Sequence, residues 1–168
     1  MVVAGRKKGS VKFFHITQAK RKLKERLQDY LPIALSEADR IADDGVTTPP
    51  PEEWWTTDKA AIFRYPSIEI IVTDSTPTHD SFAKIYRHRV VIGVTCGSDD
   101  DESASTMIER YVWCLRHVLR DEALPPIEGT GPIDTGGEQY TPLAQRPEAV
   151  EWPFVKGAFI EVFITTVE

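Results

Sequence analysis

The stretch CGSDDDES, residues 96 to 103, sets Asp99, Asp100, Asp101 and Glu102 side by side. Carboxylates are the groups that hold a hard divalent cation, and such a cation can activate a water molecule for hydrolysis. A metal-dependent hydrolase using the carboxylates of 99–102 is therefore one reading. A Mg²⁺ or Ca²⁺ site, however, needs oxygens converging from separate places, and this run has neither an EF-hand spacing nor a Walker-type partner. The second reading is structural. The acids follow an apolar run, Val90 to Val94, and precede a helix-like run from near Thr106. Carboxylates at that point accept hydrogen bonds from the unpaired N–H groups of a first helical turn and offset the positive end of its dipole. Asp99 with Glu102 three residues on, or Asp101 as the cap itself, fits that role. We adopt the helix-start reading, and with it expect no catalysis, no metal and no cofactor.

Other chemistry finds little purchase. The chain contains no GxSxG, no GxxxxGKS/T, no GxGxxG and no HExxH. His15, His79, His88 and His117 fall in four different expected elements; a triad of His88 with Ser81 and Asp80 can be drawn, but no spacing favours it. Cys96 and Cys114 show no CxxC pairing and no histidine at a ligand offset, so both are expected as buried free thiols.

The elements that must position these residues follow from periodicity. A helix is expected from Thr17, with Ala19, Leu23, Leu27 and Tyr30 on one stripe; Pro32 should kink or end it near Leu31 and open a second piece carrying Leu35, Ala38, Ile41 and Ala42. Asp43-Asp44-Gly45 looks like the stop, with Gly45 at the position that tolerates a left-handed backbone. Pro49, Pro50 and Pro51 form a stiff connector that delivers Trp54 and Trp55 to a defined place. Ile68, Ile70 and Val72 alternate as a strand, residues 73–81 read as a loop, and 82–95 as a long strand with Tyr86, His88, Val90, Ile92 and Val94 on one face. The two strands should pair as an antiparallel hairpin. Met107, Ile108, Tyr111, Val112, Leu115, Val118 and Leu119 then make an amphipathic helix. Residues 121–150 are rich in proline and glycine and read as one long irregular loop. A last strand, 154–167, carries Phe159, Phe163 and Val167 on one face and Ile160, Val162 and Ile164 on the other, as a central or covered strand would.

These elements predict a single α+β domain over 1–168, a small, mainly antiparallel sheet covered by two helices, with a basic N-terminal arm at 1–16. The chain has 168 residues and a net charge of -6, which conceals an asymmetry. Residues 1–26 hold nine Lys/Arg against one Glu, a net of +8; the other 142 hold eleven against twenty-five Asp/Glu, a net of -14. Such a molecule suits head-to-tail contact between copies or docking on an acidic partner. Lys20 and Lys24 represent the basic face. Nucleic acid fits it less well, because aromatic stacking partners are missing among residues 20–26 and the whole chain is acidic. A membrane surface fits less still, and no apolar stretch approaches the roughly 20 residues of a spanning helix. Trp113, on the side of its helix with Glu109, Arg116 and Arg120, joins Trp54 and Trp55 as a candidate anchor, since Trp and Arg dominate protein interfaces.

The order and pattern of 17–167 resemble the tail terminator proteins of long-tailed bacteriophages, also called tail completion or neck proteins. The likeness is carried by the strand YPSIEIIV, the strand RHRVVIGVTCGSDDDES and the helix TMIERYVWCLRHVL. It implies a structural virion protein, assembled in the host cytoplasm and located at the neck between head and tail. Six copies would form a homo-hexameric ring on the last ring of tail-tube protein, end its polymerisation, and offer a surface to the head-closure or connector protein. A head-closure protein or another neck component is the nearest alternative. Arg87 and Arg89, with Asp99 and Asp100, are expected as partners for oppositely charged groups across such interfaces.

Overall fold

A computed structural model describes residues 10–56, 64–78, 85–121, 123–127, 131, 133–141 and 152–167. Helix α1 spans Ser10–Ala42, strand β1 Glu53–Trp55, β2 Ser67–Thr78, β3 Ile85–Ser98, helix α2 Asp101–Arg120, β4 Asp134–Thr141 and β5 Phe154–Val167. The strands form one five-stranded sheet in the order β1-β2-β3-β5-β4. Only β1 and β2 run parallel; the other neighbours are antiparallel. Both helices lie on one face, so the fold is α+β, as the periodicity predicts.

Helix α1 departs from expectation in two ways. It begins at Ser10 rather than Thr17, and it runs through Pro32 unbroken. The reason is the stripe it buries: Leu23, Leu27, Leu31 and Leu35 are at most 1% exposed. Burying each contributes about 1.5–3 kcal/mol, which together exceeds the roughly 3 kcal/mol an interior proline costs. Residue Gln28, whose carbonyl loses its partner, is exposed. The helix ends at Asp43, which takes the left-handed conformation (φ 46°) and donates its N–H to the Asp39 carbonyl at 3.1 Å. Gly45 (φ 80°) is left-handed too, as expected, so the stop falls within Asp43-Asp44-Gly45, with Asp43 the first residue to leave the helix.

The hairpin is longer than its sequence suggests. Residues 73–78 are strand rather than loop, paired in register up to Thr78 opposite Ile85, with a bulge between Val72 and Asp74. Pro77 is tolerated because β1 covers β2 only at Ser67 to Glu69, leaving the rest of that edge without a partner among the described residues. The covered face carries Ile68, Ile70, Val90, Ile92, Val94, Ala158, Ile160, Val162 and Ile164, all at most 2% exposed. The alternation predicted for β3 and β5 is thus present, and β5 is central between β3 and β4; the side chain of Val167 and residues 82–84 lie outside the described residues.

Two strands have no counterpart in the sequence reading. One is β1, which the proline connector hands to the sheet: the Tyr111 hydroxyl donates to the Pro49 carbonyl, and the Glu52 N–H to the Pro66 carbonyl at 2.8 Å. The other is β4, inside the stretch expected to be irregular. Its Gly136 and Gly137 sit where its register with β5 shifts. Residues 1–9 of the basic arm, and 128–130 and 142–150 of the expected loop, lie outside the described residues.

Candidate functional site

The acidic run starts α2, one residue away from the expected caps. β3 ends at Ser98, and Asp100 is the N-cap (φ -126°, ψ 134°), its Oδ2 accepting the Ser103 N–H at 2.7 Å. That bond holds the Asp100 carboxyl below the usual carboxylate range. Asp99 and Asp101 are therefore not the caps; the strand runs to Ser98 and leaves a two-residue turn, so the last residue of that turn is the one with extended backbone. Asp99 stays exposed, and Asp101 pairs with Lys156 at 2.8 Å. The four carboxylates diverge along a turn and a helix start. Among the described residues no three His, Cys, Asp or Glu side chains converge as metal ligands would.

His88 is buried and lies between two hydroxyls, Ser75 Oγ at 2.7 Å from Nδ1 and Thr166 Oγ1 at 2.7 Å from Nε2. These bonds cross three strands. Where a general base would have a carboxylate to orient its ring, this ring has Thr166. His79, Asp80 and Ser81 are outside the described residues. Cys96 and Cys114 are buried free thiols, as expected; burial pushes the Cys96 thiol up strongly and that of Cys114 to about 12.

The expected interface residues do not gather into one patch. Arg87 and Arg89 project from the uncovered face of the sheet: Arg87 stands over the Phe163 ring at 4.3 Å and 3.9 Å from Asp134, and Arg89 is ion-paired with Glu161. Trp54 faces the core and packs against it, while Trp55 donates from Nε1 to Glu53 at 3.3 Å. Lys20 donates from Nζ to the Thr56 carbonyl at 2.8 Å, tying the end of β1 to α1. Lys24 is half-buried on the same helix. Trp113 is 53% exposed and stacks on His117, with ring centroids 5.2 Å apart and planes 4° from parallel.

Several residues of consequence escape sequence reasoning. On the uncovered sheet face, Phe159 is 38% exposed and lies over Gly93, where an added Cβ would stand 3.2 Å from the ring; Trp152 lies over Gly97 in the same way. The alternation in β5 places Phe159 and Phe163 there, but only the one-sided helix layer shows that they are left bare. On β4, Tyr140 is half exposed, and burial together with Glu138 raises its hydroxyl pKa. Arg116 of α2 donates to the Gly136 carbonyl at 3.0 Å and pairs with Glu138 at 3.2 Å, which fixes β4 under the helix. Arg110, buried although it falls on the polar side of a helical repeat, donates to Asp39 at 2.7 Å, to the Val46 carbonyl at 2.6 Å and to Asp44. Asp39 also accepts from the Thr48 N–H and hydroxyl, both at 2.7 Å. This knot joins α1, the turn after it and α2. Burial opposes the Arg110 charge, and the two carboxylates more than offset it; Arg110 in turn holds Asp44 below its ordinary range.

No protein-family model and no curated protein sequence matches this chain. Among solved structures, it is similar to a chain from the virion of a native gene transfer agent particle, at 12% identity and a TM-score of 0.51. That likeness covers 84% of this chain and 98% of the other. What the two share is the fold: the arrangement of two helices and a mainly antiparallel sheet occurs, nearly whole, in a component of a virion.

Proposed function

We propose that this chain is a structural virion protein of a phage-like particle, and within it a tail terminator. In this reading six copies form a ring that caps the tail tube, ends its growth and presents a surface to the head-closure or connector protein. The observation that carries the reading is the fold likeness to a virion chain over nearly the full length of that chain. The strand and helix segments that resemble tail terminators form β2, β3 and α2. Physical features of the molecule support it. A closed ring needs a heterologous interface, with unlike surfaces on the two sides of each subunit. Among the described residues the helices cover one side of the sheet and not the other, and the chain's charge is divided between a basic first segment and an acidic remainder. The carboxylates of 99–102 serve the start of α2 in this account and not a reaction.

The test is addition of the purified protein to polymerising tail-tube subunits, followed by negative-stain imaging. Tubes of arrested length with extra density at one end support a terminator. Density at the connector and none on tubes would instead support a head-closure protein. Tight, stoichiometric Mg²⁺, Mn²⁺ or Ca²⁺ binding that is lost in Asp99→Ala and Asp101→Ala would favour the hydrolase.

A further inference from the structure

We propose that the first half of α1 carries a seat for duplex DNA, a cationic strip that meets the phosphate backbone and reads no sequence. The strip belongs to a single subunit, so the proposal stands apart from the ring reading above.

Helix α1 changes sign along its length. Over residues 17–28 it holds Lys20, Arg21, Lys22, Lys24 and Arg26 against Glu25; from Asp29 to its end it holds Asp29, Glu37 and Asp39 against Arg40. Packing turns the first set away from the core. Ala19, Leu23 and Leu27 take the buried stripe. That leaves Arg21 exposed on the opposite side, with Lys20 and Lys24 half-buried along one margin and Lys22 and Arg26 along the other. On each margin the two cations stand four residues apart, about 6 Å along the axis.

Those charges are not neutralised inside the molecule. Arg21 meets Glu25 at 3.6 Å with both side chains largely exposed, a pairing that contributes little in water. Lys20 donates to a carbonyl, that of Thr56, which leaves its charge uncompensated. Among the described residues Lys24 and Arg26 have no ion-pair partner. In this they differ from Arg87, Arg89, Arg110 and Arg116, each of which faces a carboxylate of the same chain. The densest acidic run is also remote. This half of the helix packs at the hairpin end, where Ala19 and Leu23 line one small cavity with His88 and Val90. The carboxylates of 99–102 begin past Ser98, ten residues and about 33 Å further along β3, several times the roughly 8 Å screening length at physiological salt.

Duplex DNA fits the strip better than an acidic protein does, because the strip has no apolar centre. The large exposed apolar residues of α1, Ile33 and Ile41, lie in its second half. A protein interface needs a desolvated apolar or aromatic core, whereas contact with phosphates needs cations and little else. The aromatic side chains missing between residues 20 and 26 are platforms for the open bases of single strands, and a duplex keeps its bases stacked.

Fluorescence anisotropy of the full chain with a labelled random-sequence duplex of about 20 base pairs, at salt from about 50 to 200 mM, tests this. The logarithm of the association constant should fall against log salt with a slope of about -4, a loss of roughly 250-fold over that range. Lys24→Gln/Arg26→Gln should reduce that slope by about 2 and weaken binding alike on unrelated sequences. Glutamine keeps the helix propensity of these positions, and an unchanged circular dichroism spectrum will show that the fold survives. Arg87→Gln/Arg89→Gln, which removes charges already matched, should leave the slope as it is. No binding at the lowest salt, or a slope that Lys24→Gln/Arg26→Gln does not move or that Arg87→Gln/Arg89→Gln moves as far, would overturn the proposal. Poly-glutamate that displaces the duplex at equal charge would overturn it too, and would assign the strip to an acidic protein.

Discussion

The two faces of the sheet are made from the same strands, residue by alternate residue, and they differ in almost everything else. On the covered face, Ile70, Ile92 and Ile160 sit side by side across three strands, each with no exposed surface. On the bare face the neighbouring positions are Ile71, Val91, Phe159, Phe163 and two arginines, each arginine set against a carboxylate or an aromatic ring. The first set gains most of its free energy when the chain folds. The second keeps apolar area in reserve and holds its charges in local pairs, which is how a surface stays soluble until a partner covers it. In the proposed reading, folding and assembly fall to opposite sides of one sheet, separated by a rotation of one residue.

That division can be broken from either side. The largest effect is expected from Ile92→Ala, which opens a cavity at the centre of the covered face. It should cost about 4 kcal/mol in urea unfolding, within the range for buried aliphatic truncations. Arg110→Met should follow at about 3 kcal/mol, because it removes the buried cation that a part-buried Asp39 pairs with, while Thr48 alone continues to donate to that carboxylate. Phe159→Ala should cost under about 1 kcal/mol in the separated subunit and yet abolish assembly measured by sedimentation. If it lowers stability as much as Ile92→Ala, the faces are not divided as described.

The smallest effect concerns acid. Asp44 is held low by its hydrogen bond with Arg110, and Asp100 by the Ser103 N–H. A depressed folded-state pKa stabilises the fold above the ordinary carboxylate value, and that contribution disappears as pH falls through the folded value. Stability should therefore decline below about pH 4 from these two groups. Asp100→Ala should flatten part of that decline in urea midpoints taken across it, with little change in assembly at neutral pH.

Long, strongly patterned elements were legible from the residues alone. The stripe Met107 to Leu119 and the alternation through Ile68, Val90 and Ile160 specify α2 and the three central strands, because each repeats its signal several times. The missed elements are those whose signal is overruled by a distant partner. Pro32 breaks an isolated helix but not one held by four buried leucines. Glu53 to Trp55 is too short to show a period and becomes a strand only because Tyr111 anchors the prolines before it. Gly136 and Gly137 argue against a strand until β5 supplies a neighbour. The candidate interface residues have no common place that charge or tryptophan content could reveal: Arg87, Arg89 and Trp113 lie exposed, while Trp54 packs against the core and Lys20 bonds within the chain. Which face of a strand is bare depends on where helices pack, and that is a property of the whole fold.

Native mass spectrometry of the purified protein across a range of salt concentrations tests the central claim most directly. The account predicts a single closed species of six copies at low salt that falls to subunits as ionic strength rises and charge pairing is screened. A subunit that stays monomeric at every protein and salt concentration would contradict it.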